Sequence, residues 1–184
     1  MAKKSNNINS NSLTNDIQGR VPPHSDEAEL AVLGAMMIDR VAVTKAIENL
    51  SEDSFYQEKH KLIFKAIVKI FERAETPDFI SVSEELKSLD ERKIVDIVYL
   101  SNITLATPTS ANVEQHARIV QERYLKRLLI NTAGTIIANA YDDSTDALEE
   151  VDKAEKYIFE IAEKRLRKSY VGINKLTKDA YDMI

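Results

Sequence analysis

The sequence predicts an all-α protein: a small helical bundle, followed by a long antiparallel helical hairpin and a short linker helix. Three observations predict it. The 184 residues hold only four Gly and four Pro against 43% hydrophobic and 30% charged residues. Such a chain has few breakers and many helix formers. Apolar residues recur at spacings of three and four, the mark of a helix with one buried face. Two of these periodic runs are much longer than the others and are joined by a single short turn, which sets them antiparallel.

Residues 1–20, MAKKSNNINSNSLTNDIQGR, hold five Asn and three Ser. Such a stretch buries too little to repay its entropy, so a disordered tail is expected. Its Lys pair is not followed by an apolar run, so it does not read as a signal peptide. Pro22 and Pro23 then bar a helix before them. Ser25 is a good N-cap, and Asp26 and Glu27 suit the positive end of a helix dipole.

A first helical stripe follows, made of Ala28, Ala31, Val32, Ala35 and Met36. Asp39 caps a second helix carrying Val43, Ala46, Ile47 and Leu50. Residues 58–73 place Ile63, Ile67, Ile70 and Phe71 on one face of a third. In SVSEELKSL, Ser81 and Glu84 have capping-box spacing and open a fourth. Ile94, Ile97, Val98 and Leu100 belong to a fifth.

The two long helices are expected at about 112–141 and 147–168, with YDDSTD as the turn between them. The first would be roughly 45 Å long at about 1.5 Å per residue. In the second, Ala147, Val151, Ala154, Ile158 and Ile161 alternate spacings of four and three, a coiled-coil-like seam. A hairpin this much longer than its bundle must project, and its apolar seams need a cover. Ile130, Ile136, Leu148, Val151 and Ile158 are the candidate contacts with another molecule. The acids of 142–150 and the bases Lys164, Arg165, Arg167 and Lys168 read either as partner sites or, more plainly, as a match to the dipole of the second long helix.

The ending, GINKLTKDAYDMI, carries Ile173, Leu176, Ala180 and Ile184 on one apolar stripe with no stop signal behind it. A helix of about twelve residues is marginal in water, so this segment is expected to be poorly ordered or docked on another molecule. The organisation expected is therefore a tail at 1–20, a bundle at 21–111, a hairpin at 112–168 and a linker helix at 169–184.

Several functions are disfavoured. Gly occurs only at 19, 34, 134 and 172, so no Gly-rich phosphate loop is possible. With no Cys there is no disulfide scaffold or thiol catalysis, which fits a reducing, cytoplasmic setting. His24, His60 and His116 lie in separate segments without metal-ligand spacing, so each reads as a surface or packing residue. No catalytic residue, cofactor site or metal site is expected. No apolar run approaches the roughly 20 residues that span a bilayer. A helical DNA-binding domain is the alternative, with Arg118, Arg123, Lys126 and Arg127 as a basic face. Glu114 and Glu122 dilute that face, and the net charge of −5 opposes it.

Four ordered blocks point to a family. PPHSDEAELAVLGAMMID, FYQEKHKLIFKAI, TPDFISVSEEL and TPTSANVEQHARIVQERYLKRLLI together resemble the N-terminal domain of DnaB-type replicative DNA helicases, over residues 22 to about 130. His116 stands where the family usually has Tyr. A Gly pair common before the "YL" of the fifth helix is missing from ERKIVDIVYL, so that turn is expected to be remodelled.

The resemblance implies a division of labour. This part would form the collar of a hexamer, as a trimer of dimers, and receive primase and a helicase loader. A motor domain beyond it would hold ATP and Mg²⁺ and grip DNA. The ending stripe would be the linker helix that docks on the neighbouring subunit's motor, so the chain is expected to be part of a longer protein.

Overall fold

The computed structural model describes residues 20–181, with side chains described through Lys164. Among the described residues there are seven α-helices and no strand. They are α1 (Asp26–Ile38), α2 (Arg40–Asn49), α3 (Glu58–Glu72), α4 (Phe79–Leu89), α5 (Ile97–Ala106), α6 (Val113–Ala140) and α7 (Ala147–Tyr181), with a 3₁₀ turn at Glu52–Ser54.

Helix α1 is the centre of the bundle. It packs against α2, α3, α5 and α6, and all six residues from Val32 to Met37 are buried. A helix surrounded on every side needs no polar face, which is why VLGAMM is apolar all round. The Ser25 hydroxyl accepts from the Ala28 N–H at 3.3 Å and starts it. The Asp39 carboxylate ends the gap to α2 by accepting from the Val41 N–H at 2.8 Å. Ile63, Phe64, Ile67 and Ile70 of α3, Val82 and Leu86 of α4, and Leu100 and Ile103 of α5 complete the core.

Gly34 lets α1 and α5 cross closely. A Cβ there would lie 2.0 Å from Thr107 Oγ1 and 2.6 Å from Thr107 Cβ.

Three local features differ from the sequence reading. The capping box of α4 is formed by Asp78 and Ser81, not Ser81 and Glu84. The Asp78 carboxylate accepts from the Ser81 N–H at 2.7 Å and Ser81 Oγ from the Asp78 N–H at 2.9 Å. The earlier start lets Val82 face the core. Next, α5 starts at Ile97, leaving Ile94 in the preceding turn. In that turn Lys93 takes φ 52°, and the Asp90 carboxylate accepts from the Ile94 and Val95 N–H groups at 3.0 and 2.7 Å. The carboxylate thus organises a turn that lacks the expected Gly pair.

The third difference lies in α7, whose backbone stays helical from Ala147 to Tyr181. No break marks residue 169, where a separate linker helix was expected to follow the hairpin. The side chains of Ile173, Leu176 and Ala180 lie outside the described residues, as does Ile184, and the 1–20 tail is described only at Arg20.

Candidate assembly surface and the lock at its base

Helix α6 leaves the bundle after a short buried start. Val113, Ala117 and Val120, spaced four and three, are its buried residues. Past Val120 no described residue of α6 or α7 is buried. The two arms instead half-cover each other: Thr132, Ile136 and Asn139 are intermediate in exposure, as are Glu150, Ala154, Tyr157 and Ile161. Ile136, Ala154 and Tyr157 line a cavity of about 410 Å³ near the tip.

This pairing divides the candidate contact residues. Ile136 lies within the hairpin. Ile130, Leu148, Val151 and Ile158 stand 48%, 77%, 56% and 48% exposed. The expected seam of α7 is divided too: Ala154 and Ile161 are partly covered, whereas Ala147, Val151 and Ile158 are not. Val151, Ile158 and Phe159 line an open apolar trough along α7.

The base of the hairpin is held by a polar lock that the sequence reading missed. Glu29 of α1 and His60 of α3 are both buried, with His60 Nδ1 2.6 Å from Glu29 Oε2. A carboxylate only accepts, so Nδ1 carries the proton. His60 Nε2 pairs with the Tyr99 hydroxyl at 2.6 Å. The other Glu29 oxygen accepts from the Tyr56 N–H at 2.9 Å. The carboxylate thus sits at the start of α3, where free N–H groups and the helix dipole favour an anion.

Arg127 of α6 closes the arrangement. Its guanidinium donates to Pro23 O at 2.8 Å and Ser54 O at 2.7 Å, and it lies over the rings of Tyr56 and Tyr124. Burial pulls its pKa below the usual arginine value. His24 stacks on Tyr56 with ring centroids 4.3 Å apart. Hence residues from distant blocks (Pro23, Glu29, Ser54, His60, Tyr99 and Arg127) meet at one place and fix the hairpin to the bundle.

Two residue roles become specific. His60 is a buried hydrogen-bonding residue, and Arg127 is spent on backbone carbonyls rather than on a basic face. Asp26, Glu29 and His60 do bring ligand-type atoms within 4.8 Å of one another. Glu29 and His60 already satisfy each other, and Asp26 accepts from Gln57 Nε2 at 3.2 Å. A cation there would have to displace these hydrogen bonds. Among the described residues no helix is long and apolar enough to cross a membrane.

A central buried helix, a polar lock and a long hairpin with bare apolar faces define an all-α bundle-and-hairpin domain. The chain belongs to the DnaB-like helicase N-terminal domain family, whose model matches residues 21–122. It is 40% identical over 167 residues to the replicative DNA helicase DnaB of Rhodothermus marinus, covering 90% of this chain and 18% of that protein. It is 38% identical over 168 residues to the DnaB of Geobacillus stearothermophilus, covering 90% of this chain and 37% of the relative. The chain therefore spans well under half the length of these relatives.

The crystal structure of the N-terminal domain of DnaB helicase from Mycobacterium tuberculosis superposes with a TM-score of 0.71 at 30% identity, covering 77% of this chain and 99% of that one. A DnaB-like replicative helicase, whose structure was described together with its interactions with primase, shares the fold with a TM-score of 0.60 at 22% identity. That match covers 82% of this chain and 35% of the other.

Proposed function

We propose that these residues are the assembly and docking module of a cytoplasmic bacterial replicative helicase. The hairpins pair between subunits, and three such dimers form the collar of a hexamer. The collar receives primase and a helicase loader. Turnover of ATP with Mg²⁺ and the grip on DNA belong to a motor domain outside this chain, which itself neither binds nor hydrolyses ATP. The segment carrying Ile173, Leu176, Ala180 and Ile184 docks on a neighbouring motor domain.

The observation that carries this reading is the hairpin, which leaves Ile130, Leu148, Val151 and Ile158 bare over most of its length. Apolar surface of this extent marks a contact with another polypeptide. The similarity to replicative helicases supports the same reading. DNA binding is less well supported, because Arg127 is committed to Pro23 and Ser54 and the net charge is −5.

Val151→Asp tests the reading by light scattering. A charge placed in a packed apolar seam costs several kcal/mol, so the variant should lose mass relative to the parent at equal concentration. Equal masses would mean that the seam makes no contact between chains.

A further inference from the structure

A groove of about 500 Å³ runs along the outer side of α6. Ile130, Gly134 and Ile137 form one wall, and the chain entering at Arg20, Val21 and Pro22 forms another. Ile130 and Ile137 are 48% and 43% exposed, and a Cβ on Gly134 would meet nothing within 4 Å. Two arginines, Arg20 and Arg127, and no carboxylate line the groove. Arg127 gives its hydrogen bonds to the neutral carbonyls of Pro23 and Ser54. A fitting occupant is short, apolar on one face and acidic at the flank of that face.

The chain itself carries such a segment, and it ends at the groove. Residues 1–19 join the described chain at Arg20, a groove residue. Their last part reads SLTNDIQG. Ser12 is a good N-cap, and Gly19 is the residue that most often closes a helix. Between them Leu13 and Ile17 are spaced by four and share a helix face. Asp16 flanks that face and is the sole acid of residues 1–19. Helical residues 13–18 would be about 9 Å long, against roughly 11 Å from Ile130 to Ile137, at about 1.5 Å per residue.

We propose that residues 13–18 form a short helix seated in the groove of their own chain. Leu13 and Ile17 pack on Ile130, Gly134 and Ile137, and Asp16 lies beside Arg127. Gly134 lets the short helix approach closely. A helix of this length does not hold in water by itself, so the contact must stabilise it. The tether through Gly19 helps, because a short linker holds its segment at an effective concentration of about millimolar. The contact forms within one chain and stands whether or not hairpins pair. Wherever another polypeptide takes this face of α6, residues 13–18 must leave it.

The chain has no Cys, so two engineered thiols report the contact. Gly134→Cys enters open space. Ile17→Cys lies on the seated face of the short helix, and Asn15→Cys on the opposite face. Under a mild oxidant, Ile17→Cys with Gly134→Cys should close a disulfide within one chain about tenfold faster than Asn15→Cys with Gly134→Cys, because seating raises the effective concentration of one thiol only. Equal rates would mean a tail that merely passes the groove, and would overturn the proposal. A disulfide between two chains, seen as a doubled mass on a non-reducing gel, would give the groove to a second copy and overturn it as well. Independently, Leu13→Asp combined with Ile17→Asp should shift the methyl resonances of Ile130 and Ile137 and leave the urea midpoint of the bundle unchanged. Unshifted resonances would overturn the seating and leave the assembly reading intact. Failure of the assembly reading shows instead as a constant one-chain mass, with the seating untouched.

Discussion

Glu29→Ala removes the centre of the polar lock. Its carboxylate accepts from the Tyr56 N–H at 2.9 Å and holds His60 Nδ1 at 2.6 Å, and both side chains are about 1% exposed. Truncation leaves a backbone donor and an imidazole N–H buried without an acceptor. Each stranded donor costs about 1–3 kcal/mol. A loss of about 4 kcal/mol is therefore expected, a large share of the roughly 5–15 kcal/mol that holds a domain folded. With a urea slope of about 2 kcal/mol per molar, the unfolding midpoint should fall by about 2 M, followed by circular dichroism. Glu29→Gln keeps one acceptor and should lose less. A midpoint for Glu29→Ala within about 0.5 M of the parent would refute the reasoning and leave the Glu29–His60 pair without a role in stability.

Gly34→Ala should lower stability by about 1–3 kcal/mol in the same assay, because overpacking against Thr107 outweighs the gain that Ala usually brings inside a helix. Lys93→Gly and Ala74→Gly should each raise it by about 0.5–1 kcal/mol, since those residues hold φ at 52° and 62°. Arg127→Lys keeps the charge but loses the fork that reaches Pro23 and Ser54 together. Proteolysis at the base of the hairpin should then speed up while the core of the bundle stays folded. The carboxyls of Asp39, Asp78 and Glu85 are held below their ordinary values, chiefly by hydrogen bonds from Ser110, Ser81 and Arg73 respectively. The folded protein thus binds fewer protons than the unfolded chain there. Their contribution is complete above the ordinary 3.8–4.5 and is lost as pH falls through the lower folded values, so urea midpoints should drop below about pH 4.

Helix positions and most caps were legible in the sequence because they depend on neighbours within four residues. Ser25 and Asp39 act as read. The capping box failed because Asp78–Ser81 and Ser81–Glu84 share one spacing, and only the burial of Val82 chooses between them. The polar lock was hidden for a different reason. Glu29, His60, Tyr99 and Arg127 are far apart in sequence, and each fits a solvated position as well as a buried one. The VLGAMM run carried a signal: a helix apolar on all sides must be wrapped, and a Glu on the preceding turn then needs a buried partner. At the hairpin, periodicity marked apolar residues but could not divide them between the arm's own partner and another chain. Ile136 is half-covered within the hairpin, whereas Ile130 is exposed. Residues 165–181 continue the α7 backbone without the break the sequence suggested, since Gly172 is tolerated within a helix at a cost of about 1 kcal/mol.

The most direct measurement is sedimentation equilibrium of the parent chain over a concentration series. The hairpin's bare seams predict a mass rising to at least twice the 20.8 kDa of one chain, with Val151→Asp shifting that rise to higher concentration. A constant 20.8 kDa at every concentration would contradict the claim that this hairpin is an assembly surface.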